Sequence, residues 1–374
     1  MKHMKLKIMI PLLLIVGVLI ISILPDFIDT SSGDLVHARV IGSADSSSKG
    51  SQNYSNVKIK ILDGAHKNEI ITVQNIVNEN IKSESGSREN FVEKNDEVLV
   101  SIQEDNKANI KSAYIYEIVK YRQLYFLIFV FAAAVIFIGG KKGLKSLLSL
   151  VITGFAVLKL LLPLILAGFN PVAVSVVLCI GISILNLIII SGKNKKTLAA
   201  IIGTCSGVVL SGIIALYFIY NMKLKGFSDD ELQMLIFTSQ NSNFDYRGLL
   251  FAGILMGALG AVMDVSISIA SSMNEIALNN NETSFKSLFT SGMNVGKDIM
   301  GSMANTLILA YAGGAIYTLL LISSYNMTIS RILDQDLFAS EILKSICGSL
   351  GLVFTIPLTA LAYAALCKRK PKES

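Results

Sequence analysis

The sequence predicts an α-helical multi-pass membrane protein with about eight transmembrane helices and a small extracytoplasmic β domain. Hydrophobic residues make up 52% of the 374 residues, and apolar runs long enough to cross a bilayer recur along the chain. Most Lys and Arg residues lie in short clusters at the ends of these runs, as membrane topology requires. The net charge of +6 is therefore explained by membrane orientation. The lipid bilayer is the expected partner, and nucleic acid is not.

Residues 1–25 are predicted to form the first transmembrane helix. A cluster of lysines precedes an apolar run from Ile8 to Leu24. A secretory signal peptide has the same outline, but no small-x-small cleavage site is evident after the run. We therefore expect an uncleaved helix with its positive end in the cytoplasm.

Residues 26–120 are predicted to form the extracytoplasmic β domain. Val57 to Ile61 alternates apolar and polar residues, and Asp63-Gly64 after it is a turn signal. Similar runs predict five strands in a small OB-like or SH3-like barrel: Leu35–Ile41, Val57–Leu62, Glu69–Val77, Glu97–Ile102 and Ile110–Ile118. No cluster of His, Cys or carboxylate residues there has catalytic spacing. We expect a structural domain or one that binds an extracellular ligand or peptide.

Residues 121–374 are predicted to form a seven-helix transmembrane domain with a cytoplasmic C-terminus. The helices are predicted at 123–140, 144–167, 171–191, 197–220, 247–272, 299–323 and 345–367. Lysine-rich connections fall on the side of the N-terminus, and the opposite loops hold few basic residues. Both termini are therefore expected in the cytoplasm, with residues 26–120 outside.

The helix predicted at 247–272 carries a carboxylate well inside an apolar run. Its polar residues follow i, i+4, i+7 and i+11 and share one helix face: Asp264, Ser268, Ser271 and Glu275. An acid at membrane depth costs roughly 2.5–3.5 kcal/mol, so it normally faces protein or a water-filled cavity. We therefore predict a substrate or ion path along this face. Small residues predict close helix packing at Gly253, Gly257 and Gly260.

The next predicted helix repeats this pattern. Asp298, Ser302 and Asn305 follow i, i+4 and i+7 on one polar face. Small residues beside it predict helix packing at Gly296 and Gly301. If the two polar faces met, they would satisfy each other or line a passage. Two alternatives stay open: the polar groups only hold helices together, or Asp298 caps its helix near the membrane boundary.

Neither the segment before that helix nor the four cysteines predict a further binding or catalytic site. Residues 284–295 are weakly amphipathic and could lie along the membrane interface, dip into the protein or form an ordinary cytoplasmic loop. All four cysteines lie in apolar runs, which argues against a disulfide framework and a zinc site: Cys179, Cys205, Cys347 and Cys367. No cofactor is predicted, and metal binding stays open.

The sequence resembles the YibE/F-like family of bacterial multi-pass membrane proteins. The resemblance is carried by GALGAVMDVSISIASSMNEI (257–276), SGMNVGKDIMGSMANTLILAYAGG (291–314) and GSLGLVFTIPLTALA (348–362), and it extends through most of the chain. It implies a membrane fold with an extracytoplasmic domain in a bacterial plasma membrane, and it brings no catalytic assignment. The family's characteristic positions match Gly257, Gly260, Asp264, Ser268, Glu275, Gly296, Asp298, Gly301 and Asn305.

Three classes of function are compatible with these patterns. The first choice is a secondary transporter or permease for an unidentified small solute or ion, with Asp264 as the coupling carboxylate. The alternative is a non-enzymatic receptor or assembly scaffold that binds its partner through the β domain. An intramembrane aspartyl protease is disfavoured, because Asp298 is expected at the membrane boundary and Val295-Gly296-Lys297-Asp298 lacks a Gly-x-Gly-Asp signature. We therefore do not expect an enzyme.

Overall fold

The computed structural model describes residues 35–49, 52–77, 92–104, 110–225, 245–279, 284–324 and 328–367. The chain divides into two compact units, one ending at Ile138 and the other beginning at Gly139. The first unit holds a β-barrel and the start of a long helix, and the second holds a bundle of helices. The helix predicted at residues 8–24 lies outside the described residues.

The first unit contains a closed five-stranded barrel in the order β1-β2-β3-β5-β4. Its strands are β1 (Leu35–Lys49), β2 (Gln52–Ile61), β3 (Ile70–Val77), β4 (Glu97–Glu104) and β5 (Ile110–Ile118). Neighbouring strands pair antiparallel except β3 and β5, which meet in parallel at Gln74 and Tyr114. All five predicted strands are present. β1 and β2 are longer than predicted because their pairing continues beyond a bulge near Gly42.

The barrel core consists of the inward-facing residues, which alternate with outward-facing ones along each strand. Ile59 and Ile61 on β2 are fully buried, and Lys58 between Val57 and Ile59 is exposed. This alternation is the period-2 pattern of a strand with one buried face, and it explains why the strands were predictable.

Replacing Ile59 with Ala is expected to destabilise the barrel by about 2–5 kcal/mol, because the missing methyl groups leave a cavity in a closed core. Ile70 on β3 is 64% exposed, and Ile70→Ala is expected to cost less than about 0.5 kcal/mol. Hydrogen–deuterium exchange of the barrel amides in the whole chain measures both effects. Equal protection in the two variants would contradict this assignment of the core.

Five helical runs among the described residues are long and apolar enough to cross a membrane. They are Tyr121–Leu166, Pro171–Ser191, Lys195–Asn221, Tyr246–Asn279 and Asp336–Cys367. The prediction of a mainly helical membrane protein is confirmed by these runs. The predicted total of eight spanning helices stays a prediction.

The first run joins two predicted helices, 123–140 and 144–167, in 46 residues. It comprises α1 (Tyr121–Phe155), a π-helical segment (Ala156–Leu161) and α2 (Leu162–Leu166). Gly140 interrupts α1 with φ 55° and ψ −127°, a conformation that residues with a Cβ rarely adopt. The run therefore contains two helices that meet at Gly140, where the predicted boundary lies, with no separate loop between them.

The next three helices begin close to their predicted positions. They are α3 (Pro171–Ser191), α4 (Lys195–Asn221) and α5 (Tyr246–Asn279). Asn170 and Asn194 cap α3 and α4 by accepting hydrogen bonds from backbone amides of the first turn. α5 continues past its predicted end at residue 272, because Met273 is fully buried and extends the apolar face.

Helix α6 (Phe285–Gly314) begins well before its predicted start at residue 299. Ser284 caps it, and its Oγ accepts a hydrogen bond from the Ser287 amide at 3.2 Å. Leu288 and Gly292 in this segment are buried. Residues 284–295 are therefore the first turns of α6. The ordinary-loop alternative is wrong, because the amphipathic segment packs its apolar face on the bundle.

Three helices follow: α7 (Ile316–Ser324), α8 (Ile329–Leu333) and α9 (Asp336–Cys367). Ala315 separates α6 from α7, so the single helix predicted at 299–323 is divided between two helices. α9 begins before the predicted residue 345 and continues through Pro357. It packs against α4, α5 and α6 and so occupies the centre of the second unit.

Candidate functional site

Helices α5 and α6 carry the predicted polar residues and pack antiparallel. Three close approaches define their pairing: Gly292 with Met273, Gly296 with Ile269, and Gly257 with Tyr311. We count residues along the two antiparallel helices from the contact of Gly296 with Ile269, at a rise of about 1.5 Å per residue. On this count Asp264 lies at the same height along the helix axis as Gly301 and Ser302. Ser268 is likewise level with about Asp298. The predicted polar residues of the two helices therefore occupy the same range of heights.

Asp264 lies near the middle of α5. Along the helix it is about 27 Å from Tyr246 and about 22 Å from Asn279, at about 1.5 Å per residue. Its side chain is exposed, and no hydrogen bond or ion pair joins it to another described residue. The carboxylate thus lies in the middle of a helix long and apolar enough to cross a membrane, without a partner in the described part of the chain.

Asp298 lies near the middle of α6 and not at its start. It is about 20 Å from Phe285 and about 24 Å from Gly314, at about 1.5 Å per residue. The alternative that Asp298 caps its helix is wrong, because the N-cap is Ser284. The Asp298 side chain is exposed and forms no hydrogen bond or ion pair with the other described residues.

The other predicted path residues have different surroundings. Ser271 is half-buried, and three others are exposed: Ser268, Glu275 and Asn305. Ser302 Oγ donates a hydrogen bond to the carbonyl of Ile299 on its own helix at 3.1 Å. Within the described residues, no hydrogen bond joins the polar residues predicted on α5 to those predicted on α6. The structure places the polar residues of the two helices in the same range of heights along the helix axes, but no hydrogen bond joins the two sets among the described residues.

The five predicted packing glycines fall into two groups. A Cβ on Gly257 would overlap the Tyr311 hydroxyl, and a Cβ on Gly296 would overlap Ile356 of α9. A Cβ on any of the other three would have no atom within 4 Å: Gly253, Gly260 and Gly301. The first two glycines therefore permit close helix packing, and the other three lie beside open space.

The uncovered small and polar residues of α5 and α6 lie at similar heights along the two helices, and we call them together the open polar face. It consists of Gly253, Gly260, Asp264 and Ser268 on α5 with Asp298, Gly301 and Asn305 on α6. The α5 members share one side of the helix by their spacing. The two carboxylates differ in height by about 5 Å, the rise of three residues. Such a surface can carry protons or bind a cation, and its glycines leave room beside the acids.

A buried polar feature joins α4, α5 and α9, and the sequence analysis missed it. We call it the hydroxyl seam, formed by Ser211, Ser266, Thr355 and Thr359, all buried. Thr355 Oγ1 donates to the Gly351 carbonyl at 2.8 Å, and Ser211 Oγ donates to the Cys347 carbonyl at 2.8 Å. Thr359 Oγ1 donates to Ser266 Oγ at 3.4 Å.

The hydroxyl seam depends on glycines that let the helices approach closely. A Cβ on Gly203 would overlap Thr359 Oγ1, and a Cβ on Gly207 would overlap Thr355 Oγ1. A sequence signal was present, because small residues recur at every fourth position in both helices. They are Gly203, Gly207 and Ser211 on α4, and Gly351, Thr355 and Thr359 on α9.

The side chains of the open polar face that could bind an ion or solute carry carboxylate, hydroxyl and amide groups. No group of three or more His, Cys, Asp or Glu residues that could hold a metal ion occurs in the described part of the chain. The four cysteines are free, and Cys179 and Cys347 are buried. The chemistry of the open polar face therefore rests on carboxylate, hydroxyl and amide groups.

Comparison with known proteins places the chain in one family. No curated protein and no solved structure matches it. The family model described as YibE/F-like protein matches residues 127–369, which is more than half of the chain. The matched range contains both helices of the open polar face and all of the hydroxyl seam. The chain therefore belongs to the YibE/F-like protein family.

Proposed function

We propose that this protein is a secondary transporter or permease in which the open polar face lies on the path of a small solute or ion. One observation carries the proposal. Asp264, in the middle of a helix long and apolar enough to span a membrane, has no hydrogen-bond or ion-pair partner among the described residues.

The cost of a membrane carboxylate supports a role in binding. A polar group in hydrocarbon loses its hydration, and an acid there costs roughly 2.5–3.5 kcal/mol on insertion scales. A carboxylate that only held helices together would have its partner on a neighbouring helix, and Asp264 has none within the described chain. A proton, a cation or a polar solute would compensate the cost when it binds.

The residues of the open polar face take different roles in this proposal. Asp264 is the coupling carboxylate, and Asp298 is a second acid about 5 Å away in height, the rise of three residues. Ser268 and Asn305 supply neutral oxygen ligands. Ser302 contributes less, because its hydroxyl already bonds to the Ile299 carbonyl. Ser271 and Glu275 continue the path toward the end of α5.

We also propose a location in a bacterial plasma membrane, with about eight spanning helices in all. Basic residues support both termini in the cytoplasm and residues 26–120 outside, because Lys141 and Lys142 directly after the helix break at Gly140 fall on the same predicted side as Lys193 and Lys195 between α3 and α4. α6 is long enough to cross the bilayer and would add one crossing to the five apolar runs.

Ion flux into proteoliposomes tests the proposed activity. The whole chain is reconstituted into vesicles that contain a pH-sensitive dye, and the flux of protons and of radioactive Na⁺ is followed after a concentration gradient is imposed. The flux is expected to exceed that of protein-free vesicles. Vesicles whose flux equals the protein-free value for both ions, with and without added solutes, would contradict the proposal.

Chemical labelling tests the accessibility of the coupling acid. Dicyclohexylcarbodiimide, an apolar reagent, modifies protonated carboxyl groups within membranes. Asp264 is expected to react because it is exposed and unpaired among the described residues. Glu341 is the internal control, since Lys344 Nζ binds its Oε1 at 2.6 Å. Mass spectrometry of the peptides measures both. Labelling of Glu341 with none at Asp264 would contradict the assigned role.

The barrel supports a second candidate function, a non-enzymatic receptor or assembly scaffold. It has its own buried core and belongs to a separate compact unit. Its strand order and the parallel contact of β3 with β5 favour an OB-like over an SH3-like barrel. Such a barrel would bind an extracellular ligand or peptide. Deletion of residues 30–118 separates the two functions, because a transporter keeps flux and a receptor loses all activity.

We propose that the protein is not an enzyme. Asp298 lies in the middle of α6 and not at the start of its helix, and its place at the membrane boundary stays a prediction. Two observations support the proposal. The sequence Val295-Gly296-Lys297-Asp298 lacks a Gly-x-Gly-Asp signature. The carboxylates of Asp264 and Asp298 also form no hydrogen bond with each other.

A further inference from the structure

Two arginines converge on one glutamate where the barrel meets α1. Arg39 Nη2 and Arg122 Nη1 both donate to Glu97 Oε1, at 2.6 and 2.8 Å. Arg39 on β1 lies opposite Glu97 on β4, and Arg122 lies in the first turn of α1. The Glu97 side chain is 11% exposed, whereas the arginine side chains are 48% and 63% exposed. The carboxylate is covered, and both guanidinium groups reach the surface.

The surface beside these arginines is basic. Lys60 on β2 is the cross-strand neighbour of Arg39, and Lys58 is exposed on the same side of β2. One carboxylate cannot neutralise four cations, so the group keeps a net charge of about +3. Each guanidinium has about five N–H donors, and its described contacts with Glu97 use one. Donors and positive charge are therefore left over.

The same group lies at the edge of the membrane-spanning region. The apolar, exposed side chains of α1 begin at Leu124, about 3 Å along the helix from Arg122 at about 1.5 Å per residue. His37 on β1 packs edge-on against Tyr121, with ring centroids 6.1 Å apart. This side of the barrel is thus fixed beside the first turn of α1. The basic group is held at the height of the lipid headgroups, on whichever side of the membrane the barrel lies.

We propose that Arg39, Lys60 and Arg122 form a binding site for the phosphate of an anionic lipid headgroup. Guanidinium forks match phosphate oxygens in bidentate geometry, and Lys60 adds a third cation. Glu97 binds both guanidinium groups and so holds them together on one side of the barrel. Its single negative charge does not neutralise the two positive charges. The site would anchor the barrel to the bilayer surface, and it does not depend on transport by the open polar face.

The test measures binding to the whole chain purified in a neutral detergent. Short-chain phosphatidylglycerol, phosphatidylcholine and inorganic phosphate are titrated separately, and affinity is read from the shift in thermal unfolding. Phosphatidylglycerol is expected to bind more tightly than phosphatidylcholine. The double variant Arg39→Gln/Arg122→Gln is expected to lose roughly 30-fold in affinity for phosphatidylglycerol, about fivefold for each arginine.

The control variant removes the same charge from the same barrel. Lys67 and Lys94 are exposed and form no hydrogen bond or ion pair with Arg39, Arg122 or Glu97, and Lys67→Gln/Lys94→Gln should change affinity by about twofold or less. If the double arginine variant does not fold, Arg122→Gln alone should lose roughly fivefold. Unchanged affinity in the arginine variants, or an equal loss in the control, would overturn the site. Binding of inorganic phosphate as tight as that of the lipid would identify free phosphate as the ligand.

Discussion

Replacing Gly207 with Leu is expected to abolish recovery of the folded protein. A Cβ at this position would overlap Thr355 Oγ1 and lie 2.9 Å from the Gly351 carbonyl oxygen. The backbone of α9 cannot move away without breaking the hydroxyl seam, because Thr355 and Thr359 are fixed against α4 and α5. Overpacking in a packed core typically costs about 1–3 kcal/mol, and we expect the upper end or more here because the whole Leu side chain would have to fit against the backbone of α9. Gel filtration in detergent and thermal unfolding measure the loss.

The matched control for this variant is Gly181→Leu. Gly181 also lies inside a membrane-spanning helix, α3, but no atom lies within 4 Å of a Cβ built on it. This variant should elute and unfold like the unmodified chain. Gly207→Ala should fall between the two, since its single added carbon still meets Thr355. A Gly207→Leu protein as stable as Gly181→Leu would refute the close contact of α4 and α9.

Asp264→Asn is expected to reduce coupled flux in proteoliposomes to the level of protein-free vesicles. The amide keeps the size and polarity of the side chain, but it can neither release a proton nor neutralise a cation. Because Asp264 has no partner among the described residues, the substitution leaves no described group unpaired. The variant should therefore fold normally, with the same elution volume. Asp264→Glu should keep part of the flux, since it restores the acid in a shifted position.

The control for charge is Asp334→Asn, at the end of α8. Asp334 is exposed and lies outside the five membrane-spanning runs, so the same chemical change should leave flux unaltered. Full flux through the Asp264→Asn protein would exclude Asp264 as the coupling group. Equal losses in both variants would show a general effect of charge and would also count against the role of Asp264.

The barrel strands were predictable because the alternation of apolar and polar residues marks each strand locally. On β2 the alternation of buried Val57, Ile59 and Ile61 with lysines has the period of a strand that buries one face. The closed order of the strands was not predictable in the same way. It depends on the contact of β3 with β5, which are far apart in the sequence and leave no local pattern.

The start of α6 was misjudged because hydropathy was used as the criterion. Its first turns contain Lys286, several hydroxyl residues and few apolar ones. Their mean hydropathy is therefore too low to predict a membrane helix. Their apolar side nevertheless packs on the bundle, where Gly292 lies against Met273 and Ala360. A helix with one packed side needs only a narrow apolar face, and a window average does not register it.

Sequence spacing selects the residues of the candidate site but does not predict their surroundings. Spacing of four and seven residues shows that Asp264 and Ser268 share a face, as Asp298 and Asn305 do. It does not show what that face meets. The structure places these residues at one level and leaves them uncovered by the described chain, whereas the buried hydroxyls are on α4, α5 and α9. Tertiary packing of helices distant in sequence decides which polar face is enclosed.

The hydroxyl seam limits how the bundle can change shape. The hydroxyl groups of Thr355 and Thr359 sit against the bare backbone of Gly207 and Gly203, so sliding α9 along α4 would drive them into bulkier neighbours. We therefore expect the two helices to move as a single rigid body. In an alternating-access cycle, the exchange between inward-open and outward-open states would have to come from helices that flank this pair.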